Sequence, residues 1–348
     1  MKRRTLLRTA ALAAPLAVFA RRSARAAEFT FKLHHFLPAQ APAQRNMLEP
    51  WARRVEELSG GRVAIEIFPS MTLGGRPPEL IQQARDGVVD LIWTVNGYTP
   101  GQFPRTEVFE LPFVYRNNPV AAALAMHDMF AEHLAADYAG VEVMFLHVHA
   151  GQAIHMREKL VRRPEDLAGL RMRIPTRTGA WVLEALGAAP VAMPVPDVPQ
   201  ALQKGVVDGM LLPFEIIPPL RLQQLVKYLI ELHRGTRLGT TTFQVSMNRA
   251  RWESLPADIR DAFRRASDRE WWAEVARRWW KAERGGLAVA TGAGVTHVEL
   301  TAEETARFER ALEPVVERWI EEVTGRGLDG RGLVETARAG IARHADRT

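Results

Sequence analysis

The segment Leu170-Arg171-Met172-Arg173-Ile174-Pro175 sets two guanidinium groups two residues apart in a short extended run that a proline cuts off. Strand alternation puts Arg171 and Arg173 on one side and Met172 and Ile174 on the other. A guanidinium at the carboxyl end of a strand offers a planar, two-pronged donor that pairs with a carboxylate in a fixed orientation. Arg173 lies nearer the strand end and is the better placed of the two; a surface arginine paired to a local acid is the plainer alternative. Histidine is the other residue type with chemistry to offer, since His147 and His149 share a strand face and His155 follows closely. A catalytic zinc needs about three protein ligands and an open fourth position. No HExxH-type motif supplies them, so packing or hydrogen bonding is expected of these rings, and neither a metal nor a cofactor is assigned. Neither a GxSxG elbow nor a GxxxxGK[ST] loop occurs, which leaves hydrolase and nucleotide readings without a foothold. Asp90 and Asp208 recur at matched strand starts after a glycine, which suits capping or lobe structure rather than acid–base work.

The elements that would position these groups alternate between strand and helix from Glu28 onward, an α/β pattern. EFTFKLHHF is strand-like, APAQRNMLEPWARRVEELSGG is helical as far as Gly60 and Gly61, RVAIEIFP is a strand, and RPPELIQQARDG is a short helix. VVDLIWTV and VEVMFLHVH, the latter Val141–His149, are further strands. After the strand TTTFQVSMN, the run PADIRDAFRRASDREWWAEVARRWWKAERGG is read as one helix of about 30 residues, or roughly 45 Å. Two more helices follow, the last near Arg331–His344. Trp272 and Trp279 share one face of the long helix, flanked by Trp271 and Trp280, and rings of this size are expected in core or lobe-bridging packing.

Two stretches echo one another: ELIQQARDGVVDLIWTV at 79–95 and DVPQALQKGVVDGMLLPF at 197–214 share helix, Gly, Val-Val-Asp and strand. Gly87 and Gly205 sit where a helix stops in a left-handed cap, and the Val-Val pairs start β-rich segments. The echo implies two similarly built α/β lobes. In open α/β sheets ligands bind beyond the carboxyl ends of the strands, which directs attention to Trp93 through Tyr98 in one lobe and Met210 through Glu215 in the other. These segments would face each other across a cleft. His35, just after the first strand, is a candidate at the cleft mouth.

The ends and the composition bound the rest. Residues 1–27 have a basic start, an apolar stretch from about Ala10 to Ala20, and small residues near Ala24 and Ala26, the layout of a cleavable signal peptide. The apolar stretch is well short of the roughly 20 residues that cross a bilayer as a helix, so no membrane insertion is expected after cleavage. Arg3 and Arg4, followed by Thr5, Leu6, Leu7 and Arg8, resemble the twin-arginine export signal, with an ordinary secretory signal as the alternative. Seven positive charges and no acid lie in this segment, so its removal takes the formal net charge from +6 to about −1. The basicity belongs to the signal, and neither nucleic acid nor an anionic membrane is expected as a partner. The chain has no cysteine, which excludes disulfides and thiolate chemistry. The roughly 320 remaining residues exceed what one core usually holds. Two lobes are expected, 28–150 with about 240–278 and 151–239 with about 279–325, followed by a C-terminal helix over 326–348.

The landmarks SGGRVAIEIFPSMTLGG, GVVDLIW, RRPEDLAGLRMRIPTRTG, LGAAPVAMPVPDVPQALQKGVVDG and the long late helix, in this order, resemble the substrate-binding subunit of the tripartite ATP-independent periplasmic (TRAP) transporters, a family typified by four-carbon dicarboxylate binders. The resemblance implies a two-lobed periplasmic-binding-protein (Venus-flytrap) fold with a long helix bridging the lobes, closure on a ligand in the periplasm, and delivery to membrane permease subunits driven by an ion gradient. It also implies that the arginine before the proline of the LRxP segment, here Arg173, pairs with the substrate carboxylate, and that Val195 and Leu212 reach the pocket. This chain departs from the family where Met210, Leu211 and Leu212 replace acid and amide residues, and where no second arginine stands near Ala153. Those changes argue against a sugar acid or a tightly held dicarboxylate. Leucines at the cleft with Trp93, Tyr98, Phe214 and Phe243 suit one carboxylate on an apolar or aromatic body, such as a branched 2-oxo acid or a benzoate-like acid. A ligand-presenting sensor for a signalling partner, or a dicarboxylate binder, is the alternative on the same fold.

Overall fold

The computed structural model describes residues 27–347, and the expected signal peptide falls almost wholly on residues 1–26, outside the described residues. The strands are β1 (Phe29–His34), β2 (Val63–Phe68), β3 (Leu91–Val95), β4 (Val141–Val148), β5 (Ala153–Met156), β6 (Arg171–Ile174), β7 (Ala189–Ala192), β8 (Gly209–Leu212), β9 (Tyr228–Glu231), β10 (Thr242–Asn248) and β11 (Thr296–Glu299). They form two sheets, ordered β2-β1-β3-β10-β4 and β11-β9-β5-β8-β6-β7. In the first, β1 runs parallel to β2 and β3 while β10 runs antiparallel to β3 and β4. In the second, β6 is parallel to β7 and β8, and β5 is antiparallel to β8 and β9. Each sheet is the centre of one lobe of a two-lobed α/β clamp.

Chain segments cross between the sheets where β4 leads to β5, where β9 leads back to β10, and along the helix Arg269–Gly292, which leads to β11. That helix joins the lobes through side chains one turn apart. Trp279 packs on the first-sheet rings of Trp93, His147 and Phe243, and Glu283 accepts the backbone N–H groups of Phe214 and Glu215 at 2.7 and 2.9 Å beyond β8. The single 30-residue helix expected here is two helices, Ala257–Ala266 and Arg269–Gly292. The break falls at Ser267, because the Asp268 carboxylate accepts the Trp271 N–H at 2.8 Å and so caps a new helix. The second helix also continues through Gly285 and Gly286, where the sequence reading stopped it.

The internal echo is matched bond for bond. Gly87 and Gly205 take φ of +70° and +64°, and the residue after each donates back to the carbonyl five residues earlier, Val88 to Gln83 and Val206 to Ala201, which is the Schellman closure of a helix end. Asp90 then accepts the Lys32 N–H of β1 at 2.8 Å, and Asp208 the Arg171 N–H of β6 at 2.9 Å. The Val-Val pairs do not start the strands, contrary to expectation. Val88 and Val206 lie exposed in the turn, and only Val89 and Val207 are buried, because the left-handed cap spends those residues reversing the chain. Among the described residues no helix is long and apolar enough to cross a membrane.

Candidate functional site

A small cavity of about 40 Å³ lies between the carboxyl ends of the two sheets. The first sheet supplies Trp93 and Val95 at the end of β3, Tyr98 just beyond, and Phe243 on the neighbouring β10; the second supplies Arg173 at the end of β6 and Leu212 at the end of β8. Val195 enters from the turn after β7. The cavity therefore brings together Arg173, Trp93, Tyr98, Val195, Leu212 and Phe243.

Arg173 is the charged group of this wall and is only 1% exposed. Its Nε donates to the Met193 carbonyl at 3.0 Å, and the Tyr98 hydroxyl lies against the guanidinium. Among the described residues no carboxylate forms an ion pair with it, whereas Arg171, two residues earlier on the same strand, is exposed and paired with Asp208 at 2.8 Å. Burial pushes the Arg173 guanidinium down to about 10, partly offset by Tyr98 and by the more distant Asp197; it remains a cation at neutral pH. A buried, unpaired cation is costly. Its free energy improves on binding an anion, which is what a capture site needs. Burial also raises the Tyr98 phenol above its ordinary range, so it stays protonated and neutral.

The opposing wall is aromatic. Trp93 is fully buried and stacks on Phe36 at 4.8 Å and on Phe243 at 5.4 Å. His147 holds this wall in place. Trp93 Nε1 donates to His147 Nε2 at 2.9 Å, so the His147 proton sits on Nδ1, toward the Val148 carbonyl. His155 Nε2 meets the Leu212 carbonyl at 2.8 Å, and His149 Nδ1 accepts the Gly151 N–H at 2.9 Å. Burial pushes His147 and His155 down to about 3 and holds His149 well below its ordinary value, so all three are neutral and act as hydrogen-bonding groups. Among the described residues no three metal-ligating side chains converge.

Two expected site residues lie outside the cavity lining. His35 is turned away, with Nε2 3.0 Å from Gln44 Oε1 and Nδ1 accepting the Leu37 N–H at 3.3 Å, and it meets Trp93 edge-on from behind. Phe214 points beneath the wall, where the Arg237 guanidinium covers its ring at 4.4 Å. Arg237 itself is no second clamp, because Glu231 and Glu283 pair with it at 2.7 and 2.9 Å. The sequence reading did not assign His149, Gln152, Thr241 and Trp279 to the lining, whereas Glu215 lies in the strand-end segment it pointed to. The first four stand on the segments that cross between the sheets, where no strand-end rule or motif marks them.

A family model described as bacterial extracellular solute-binding protein, family 7, matches residues 33–322. The chain is 38% identical to a marine metagenome TRAP solute-binding protein specific for aromatic acid ligands, solved with metahydroxyphenylacetate; the match covers 91% of this chain and 99% of that one with a TM-score of 0.88. It is also 38% identical, with a TM-score of 0.88, to a TRAP solute-binding protein from Rhodoferax ferrireducens solved with copurified benzoate, over 91% of this chain and 98% of that one. The C4-dicarboxylate-binding periplasmic protein DctP of Rhodobacter capsulatus is 28% identical over 310 residues, which are 86% of this chain and 89% of that relative.

Proposed function

The chain belongs to the bacterial extracellular solute-binding proteins of family 7, and from that premise we propose that it captures an aromatic monocarboxylate in the periplasm and hands it to the membrane permease of a TRAP transporter. It is a transport protein rather than an enzyme. The observation that carries the ligand class is Arg173, a buried guanidinium with no carboxylate partner among the described residues, facing a wall of Phe36, Trp93, Phe243 and Trp279. A ring on that wall buries large apolar area at low entropic cost, while its carboxylate completes the charge pair. A dicarboxylate would need a second free cation, and the other buried arginine near the site, Arg237, is already neutralised by two glutamates. The relatives that bind metahydroxyphenylacetate and benzoate support the same class.

Calorimetric titration with benzoate tests this reading. The wild type is expected to bind it and release it intact, and Arg173→Ala to lose about 30-fold to several-thousand-fold in affinity, the effect of truncating one partner of a buried charge pair. Undiminished binding by Arg173→Ala would rule out the clamp.

A further inference from the structure

The cavity has a second polar wall that a carboxylate on Arg173 leaves unused. In the order β9-β5-β8-β6, the strand bearing Arg173 stands two places from β5, about 9.6 Å away at a strand spacing of ~4.8 Å. Gln152 immediately precedes β5, and the pairing of Ala153 with Leu212 brings it alongside the segment that carries Glu215. Arg237 ties the two together, since its Nη1 donates to the Gly151 carbonyl at 3.3 Å and lies 2.9 Å from Glu283 Oε1, while Glu283 Oε2 accepts the Glu215 N–H. This side of the cavity is therefore fixed in place and distant from the clamp.

Its polar atoms are incompletely matched. Gln152 is 3% exposed and its Nε2 donates to Thr241 Oγ1 at 2.8 Å, yet its Oε1 is buried with no partner. Glu215 Oε2 is likewise buried and unpartnered. Burial and the adjacent Glu283 hold the Glu215 carboxyl well above its usual range, so it is neutral and does not repel an anionic ligand. On the donor side, the acceptance of the Gly151 N–H by His149 Nδ1 fixes the proton on Nε2, for which no described residue provides an acceptor, and Trp279 Nε1 is buried without one. Buried polar groups are normally satisfied. Acceptors and donors left open together around one apolar cavity match a group that both gives and takes a hydrogen bond.

We infer that this wall is a hydroxyl site: the ligand is a hydroxylated aromatic acid whose O–H donates to Gln152 Oε1 while its carboxylate rests on Arg173, and Gln152 selects it over the unsubstituted acid. The inference rests on the aromatic-acid reading and adds to it the substituent and the residue that reads it.

The test is calorimetry with benzoate, 3- and 4-hydroxybenzoate and the matching methoxybenzoates on the wild type and on Gln152→Leu. The better of the two hydroxybenzoates should bind about tenfold more tightly than benzoate, the worth of one good buried hydrogen bond. Its methoxy counterpart, which keeps the oxygen and loses the proton, should lose that gain. Gln152→Leu should abolish the preference, so that hydroxybenzoate and benzoate bind the variant equally. Equal wild-type affinity for benzoate and both hydroxybenzoates overturns the hydroxyl site while leaving the aromatic-acid reading intact, as does a Gln152→Leu variant that weakens both acids alike. Failure of every acid to bind the wild type overturns both. The methoxy comparison needs no variant, so it decides the matter even if Gln152→Leu does not fold.

Discussion

The hydroxyl of Tyr98 accepts the backbone N–H of Val195 at 2.9 Å, joining the segment after β3 of the first sheet to the turn after β7 of the second. The same hydroxyl lies against Arg173, so the bond that ties the lobes also borders the anion clamp. Tyr98→Phe keeps the ring and leaves the buried Val195 N–H without an acceptor. The expected loss is about 1–3 kcal/mol, or roughly 5- to 150-fold in affinity, appearing mainly as faster dissociation. Stopped-flow release of benzoate measures this, and an unchanged off-rate would show that the bond does not latch the clamp.

Gly97 lies directly against Thr176 of the opposite lobe, where a Cβ would stand 2.3 Å from Thr176 Cγ2 and 2.8 Å from Thr176 Cβ. Only a residue without a side chain lets the two backbones approach so closely. Gly97→Ala should therefore hold the lobes apart at an overpacking cost of about 1–3 kcal/mol. The ligand-free protein should melt as wild type does, while affinity falls and small-angle scattering records less compaction on adding ligand. Full compaction of the variant would mean that this contact does not govern closure.

Buried histidines give the fold an acid-sensitive range. Burial pushes His35 down to about 4, and His147 and His155 to about 3, against about 6.5 in an unfolded chain. The unfolded state binds more protons below that value, so the stability these rings contribute is fully present above pH ~6.5 and declines as pH falls toward 4, by about 1.4 kcal/mol per pH unit for each ring. Glu110 acts in the opposite sense. Burial raises it to about 7, so its contribution is full below the ordinary carboxylate value and is lost as pH rises through 7. Urea unfolding should show a net decline in stability from pH 6.5 to 5, steeper in Glu110→Gln, where one opposing group is gone. A flat profile would indicate that the rings carry charge in the folded protein.

Part of the site was legible in the sequence because geometry there follows from pattern. A guanidinium at the end of a strand before a proline, and rings at the end of the GVVDLIW strand, fall beyond the carboxyl edge of a sheet whatever the rest of the chain does. Val195 came only from the family resemblance, since nothing in its own segment sets it apart. Trp279 was assigned to packing because helical spacing cannot distinguish a ring that fills a core from one that borders a cavity, and here it does both. The strands β5, β7, β9 and β11 have four residues each, too few to display alternation. Asp268 starts a new helix within the long helical run by capping it, a break that the helix-forming residues on either side conceal in the sequence. The exposed Val88 and Val206 show the reverse conflict, in which a backbone turn overrides β-propensity.

His149, Gln152 and Thr241 stand on the short connections about which one lobe must rotate against the other. Any change in the angle between the lobes therefore reorients groups that line the cavity, and a ligand held there biases that angle. Occupancy and shape are then a single variable. A permease that spans the outer faces of both lobes can distinguish a loaded carrier from an empty one by the spacing of those faces, without contacting the acid enclosed between them.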